Sequence, residues 1–110
     1  MSEPTLSPEQ TAAREAAALV AVRFQLKPTE PIGFSRTRAV IEARWITWRV
    51  LADAYAWSPK RIADVTTYTS SAVAHGLRKT DPDARPKAKV FARLRKIADE
   101  CLKEAAGGAP

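Results

Sequence analysis

Apolar residues recur along this chain at helical spacing, and no segment alternates with the period of two that marks a strand. The pattern predicts about five helices. The first is announced by Ser7 as N-cap, Pro8 in the first turn and Gln10 completing a Ser-x-x-Gln capping box. Ala13, Ala16, Ala17, Val20 and Phe24 then share one stripe. This helix is expected to stop near Leu26, because residues 27–33 contain two prolines and a glycine. A longer second helix is predicted over residues 35–55. Ile41, Trp45, Trp48, Ala52 and Tyr55 form one stripe, and Ala39, Ala43, Ile46, Val50 and Ala54 form another beside it. So wide an apolar face marks a central, largely buried helix. At this spacing the tryptophans read as core rather than as platforms for stacked bases. Arg38–Glu42 and Arg49–Asp53 are i, i+4 pairs expected on the remaining polar side.

Two short helices follow in SPKRIADVTTYTSSAVAHGLRK, residues 58–79. Ser58 caps and Pro59 opens a third helix reaching about Thr66. After a Thr/Tyr-rich turn, Thr69 or Ser70 caps a fourth helix running to about Lys79. The stretch TDPDARP breaks the chain, and a final helix is predicted over residues 87–105, with Val90, Phe91, Leu94, Ile97, Ala98, Cys101 and Leu102 on one side. The expected fold class is therefore all-α, a helix-turn-helix bundle of about five helices around a long central one. Residues 1–33 read as a leader helix and linker, 34–106 as the helix-turn-helix domain and 107–110 as a disordered tail. The leader either docks on the core or mediates self-association, and the remainder is expected to stay folded without it.

Length and composition narrow the function. The 110 residues suffice for one domain, and 45% hydrophobic residues support a real core. The formal charge is +6. Residues 1–33 hold three Lys/Arg and four Glu, whereas residues 34–110 hold fifteen Lys/Arg and eight Asp/Glu. A basic body behind a slightly acidic leader suits a polyanionic partner. Cys101 is the only cysteine and His75 the only histidine, so no intramolecular disulfide, Cys-built zinc site or His-rich metal site is available. No nucleophile or general acid–base pair is suggested either, so no catalytic residue, metal or cofactor is expected. The longest strongly apolar run, residues 16–22, is far short of the ~20 residues that span a bilayer. The N-terminus lacks a basic signal region, so the expectation is a cytoplasmic protein with no membrane partner.

The residue set at 58–79 fits a DNA-binding helix-turn-helix. Ile62 and Ala63 supply an apolar and a small residue where the two helices cross, Tyr68 packs inward from the turn, and Val73 and Gly76 line the inner side of the second helix, with Val65 and Leu77 adding to the same face. Thr67 stands where glycine is usual, which predicts a slightly wider turn. The opposite face of the second helix carries Ser70, Ser71, Ala74, His75 and Arg78. These are small or hydrogen-bonding, so the helix can enter a major groove about 12 Å wide and reach base edges, with Ala74 suited to a thymine methyl. Thr69, with the N–H groups of the helix start, is a phosphate candidate. Arg36, Arg38, Lys60, Arg61 and Lys79 are the others. Lys89, Arg93 and Lys96 read as a solvated face.

Residues 35–104 resemble the C-terminal DNA-binding domain of the bacterial replication initiator DnaA, of the Trp-repressor-like helix-turn-helix group. The likeness rests on SRTRAVIEARWITWRVLADAYAWSPKRIADV, on LRK after the recognition helix, and on the terminal amphipathic helix. Arg44 reads either as the counterpart of that family's Ala-Arg pair in the long helix or as a surface residue pairing with an acid. The stretch TTYTSSAV, residues 66–73, departs from that family's recognition signature at every position except Val73. The resemblance thus implies the fold but not the initiator's DNA site. No Walker motif is present, so the initiator's ATPase is not implied. Stand-alone domains of this kind resemble small transcription regulators, including activators of phage-derived genes. The expected function is sequence-specific binding of double-stranded DNA in transcription regulation. A replication accessory factor, or a helical adaptor that recruits RNA polymerase or a sigma-like protein, is the alternative, and a homodimer remains open.

Overall fold

The computed structural model describes residues 7–81 and 89–107. All regular structure among them is helical: α1 (Pro8–Phe24), a 3-10 turn (Glu30–Ile32), α2 (Arg38–Asp53), α3 (Pro59–Thr66), α4 (Ser70–Lys79) and α5 (Lys89–Gly107). The chain is an all-α bundle, as the periodicity predicts. The stretch between α4 and α5 falls mostly outside the described residues, as do residues 108–110 of the expected disordered tail, and Gly107 ends α5.

Local chemistry sets most of the helix ends. Ser7 and Gln10 form the reciprocal capping box of α1, each side chain bonded to the other's backbone N–H at 3.1 Å. α1 ends where Gln25 turns into a left-handed conformation. Ser58 caps α3 and Thr69 caps α4, each accepting from the backbone N–H three residues on. α2 starts later and stops earlier than its stripe suggests. Residues 35–37 precede the helix, and Ala56, with φ 57, turns the chain toward α3.

α2 is the central element. Ala43, Ile46, Trp48, Val50 and Leu51 are buried in one cluster with Val20, Ile62, Val73, Leu94 and Cys101, and Val40 is buried as well. Ala39 and Ala54, at the two ends of the second stripe, are exposed. Burial pushes the Cys101 thiol up to about 11, so it sits in the core as a small inert group.

α1 docks on this core. Ala13, Ala16, Ala17, Val20 and Ala21 are all buried, and their small side chains let α1 lie close against α2. Arg23 near its C-terminus pairs with Glu104 at 2.7 Å and Glu100 at 3.6 Å on α5. α1 therefore belongs to the same packed body as the rest.

Candidate nucleic-acid interface

α3, the turn and α4 form a helix-turn-helix seated on α2. The turn is tight, not widened. Thr67 adopts φ 60 and ψ 40, the left-handed conformation that glycine usually supplies, and the Tyr68 N–H reaches back to the Ala63 carbonyl at 2.9 Å. A non-glycine residue in this region costs on the order of 1–2 kcal/mol, which the surrounding packing offsets. Ile62 and Ala63 are buried beneath the crossing. Tyr68 turns inward, with its ring edge-on to Trp48 at 5.2 Å, the Arg44 guanidinium 5.0 Å above it and its hydroxyl donating to the Gly33 carbonyl. Burial raises the Tyr68 pKa, more than Arg44 lowers it, so the hydroxyl keeps the proton that it donates.

α4 is held at three levels. At its start, Tyr68 and the Thr69 cap fix the entry. In its middle, Gly76 lies against two indoles: a methyl there would fall 2.5 Å from Trp48 Cε3 and 2.6 Å from Trp45 Cδ1. At its end, Arg49 donates to the Leu77 carbonyl at 2.6 Å and to Thr80 Oγ1 at 3.2 Å, while also bonding Asp53 at 3.1 Å. The sequence placed Arg49 on a polar face with Asp53. The structure makes it the bolt between α2 and the C-terminal end of α4.

Arg44 is a buried clamp rather than a surface residue. It is 8% exposed, donating to the carbonyls of Pro31 (3.0 Å), Gly33 (2.7 Å) and Ser35 (2.9 Å). It thus ties the connector before α2 to the turn of the helix-turn-helix through Gly33 and Tyr68. Glu42 is also buried. It accepts from Arg93 at 2.8 Å, with Arg38 further away at 3.8 Å, so it joins α2 to α5 instead of lying on a solvated side. Arg93 accordingly is not simply a solvated residue.

The outward face of α4 presents Ser70, Ser71, His75 and Arg78 as exposed residues, with Ala74 half-buried among them. His75 rests edge-on to Trp45 at 5.8 Å, which orients its ring. The cations fall into two groups. Arg36, Arg38 and the half-buried Lys79 line a groove of about 440 Å³ floored by Ile41, Trp45 and Leu94. Lys60 and Arg61 lie on the first turn of α3. Lys60 is exposed, whereas Arg61 is engaged: its Nε donates to Glu9 at 3.2 Å, and its guanidinium lies 4.7 Å over the Trp57 ring. Thr69 uses its hydroxyl oxygen to cap α4, which leaves the hydroxyl hydrogen available to an acceptor. Phe34, unremarked by periodicity, is 80% exposed beside Tyr68. Among the described residues no group of three or more His, Cys, Asp and Glu gathers as a metal site, and no helix is long and apolar enough to cross a membrane.

No family model, curated protein or solved structure matches this chain. What can be said of its activity rests on the geometry of α4 and its surroundings.

Proposed function

We propose that the protein binds double-stranded DNA by laying the outward face of α4 in the major groove, and that it regulates transcription from the bound site. The observation that carries this reading is the contrast between the two faces of α4. One is locked to α2 by Gly76, Trp48 and Arg49. The other offers a contiguous set of exposed small and hydrogen-bonding residues, Ser70, Ser71, His75 and Arg78, with no core to serve. A helix fixed this firmly while exposing such a surface is suited to reading base edges, since recognition needs a preset geometry and no bulky side chain in the way. The formal charge of +6 and the cations at the first turn of α3 suit the phosphate backbone. The resemblance to the initiator's DNA-binding domain favours the same reading.

Affinity for a short labelled duplex, measured across a salt series, tests it. Log K is expected to fall linearly with log salt. Replacing Lys60 and Arg61 together by Gln lowers affinity for every duplex alike and flattens that slope by up to about 1.8, at ~0.9 for each phosphate no longer neutralised. An unchanged slope removes these two residues from the interface. Absence of any salt-dependent duplex binding by the folded parent overturns the reading, and the helical adaptor then takes its place.

A further inference from the structure

The ion pair between Glu9 and Arg61 joins residues 52 positions apart, bringing the acidic leader onto the helix that carries the candidate phosphate-binding residues Lys60 and Arg61. Resting on the DNA-binding reading, we propose that Glu9 is a built-in competitor for the anion seat at Arg61, so that α1 lowers the affinity of the protein for every phosphate backbone and a bound phosphate displaces the carboxylate.

The arrangement supports this in four ways. Arg61 is preset, because its guanidinium lies over Trp57 at 4.7 Å, and Trp57 is itself buried in the core. The stacking holds the cation at one place on the first turn of α3, beside Lys60. Glu9 is also preset: the Ser7–Gln10 capping box fixes the first turn of α1, and α1 is packed against α3. The ion pair is of a kind that a phosphate can displace. Its hydrogen bond runs from Nε at 3.2 Å, and both side chains are half exposed, Arg61 at 49% and Glu9 at 46%. A guanidinium has five N–H donors, so a carboxylate on one edge is a weak hold compared with a bidentate phosphate. Finally, the acid stands close to where a phosphate would sit, and its charge repels that phosphate even while Arg61 attracts it.

A structural role for Glu9 makes a different prediction. An acid in the first turn of a helix is favourable for the helix dipole alone, and in that case its loss weakens α1 without touching DNA affinity. Glu9→Gln separates the two, since it keeps the size of the side chain and leaves the capping box in place. The probe is a labelled duplex of random sequence, and the readings are affinity and its salt slope for the parent, Glu9→Gln, Arg61→Gln and the double variant. Glu9→Gln is expected to bind about two- to fivefold tighter, the range an exposed ion pair supports, with a salt slope steeper by up to about 0.9. In the Arg61→Gln background the same change is expected to have less than half that effect.

Equal affinity and slope for Glu9→Gln and the parent overturn the proposal while leaving DNA binding in place. So does an equal gain with and without Arg61, which makes Glu9 a distant charge rather than a competitor. If the folded parent shows no salt-dependent duplex binding, the DNA reading fails and the competitor fails with it.

Discussion

Gly76→Leu is expected to destabilise the protein by at least ~3 kcal/mol, at the upper end of what overpacking a core costs, and to lower its thermal midpoint by more than about 12 °C. The reason is local. Even a Cβ at this position would fall within 2.7 Å of atoms of two indole rings, and neither ring is a flexible side-chain end that can swing away. Trp48 is buried and also carries the inward ring of Tyr68, so moving it disturbs the turn as well. Helix propensity acts in the other direction. Glycine within a helix costs about 1 kcal/mol relative to alanine, so an exposed Gly76 would be improved by substitution. Gly76→Ala is therefore expected to lose less than Gly76→Leu, because the propensity gain partly offsets a smaller overlap. α4 pushed away from α2 also loses the bond from Arg49 to the Leu77 carbonyl. Circular dichroism melts of the two variants check this. Midpoints equal to the parent's would mean that Gly76 does not face the tryptophans.

Removal of residues 1–33 is expected to abolish the cooperative melt. From the sequence the leader reads as separable, but three observations oppose that. Val20 and four alanines of α1 are buried in the shared core. Burying a valine alone contributes about 1.5–3 kcal/mol, and the whole face approaches the ~5–15 kcal/mol by which a small domain is stable. The truncation also takes away the Pro31 and Gly33 carbonyls, two of the three acceptors of Arg44, and with Gly33 the acceptor of Tyr68. A guanidinium that is 8% exposed would then lie short of partners, a larger penalty than the loss of a surface bond. Near-ultraviolet circular dichroism is suited to the measurement, because Trp48 and Trp57 report on core packing. A truncated chain that melts cooperatively within a few degrees of the parent would make α1 an appendage after all.

The elements are legible in the sequence where local chemistry decides them. Ser7 and Ser58 each announce a helix start, the cap of α4 is narrowed to Thr69 or Ser70 and falls on Thr69, and the spacing of Ala13 to Val20 and of Ala43 to Val50 reports the buried faces. Gly76 can be placed against the long helix, because a glycine within an amphipathic helix calls for a close neighbour. The turn at Thr67 is misleading. Propensity disfavours threonine in a left-handed conformation, but the packing of Ile62, Ala63 and Tyr68 imposes it. The charged residues are the least legible. Arg44 reaches back 11 residues to Gly33, Arg49 forward 28 to Leu77, Arg93 back 51 to Glu42 and Arg61 back 52 to Glu9. Helical periodicity reports which side of a helix is apolar. It does not report which carbonyl or carboxylate a long cation will meet on another element. The one available signal is that Arg44 and Arg49 flank the buried stretch from Ile46 to Trp48 within α2.

The candidate site is legible as a set of residues, since Ser70, Ser71, His75 and Arg78 share one face by helical spacing alone. Its rigidity is not, because that comes from Arg49, Arg44 and the two indoles. On the proposed DNA reading, that rigidity sets how α4 meets the bases. A bidentate contact from Arg78 to guanine needs the helix set to a fraction of an ångström, and His75 gains its orientation from Trp45.

Selection of bound duplexes from a random library, run on the parent, Arg78→Ala and His75→Ala, tests the reading of bases by α4 most directly. The parent is expected to enrich one motif. Arg78→Ala should relax the preference at a single base pair by ~1–3 kcal/mol, with His75→Ala acting at a neighbouring pair, while affinity for unrelated DNA changes little. A parent that enriches no motif, or two variants that return the parent's motif with uniformly lower affinity, would contradict recognition through the outward face of α4.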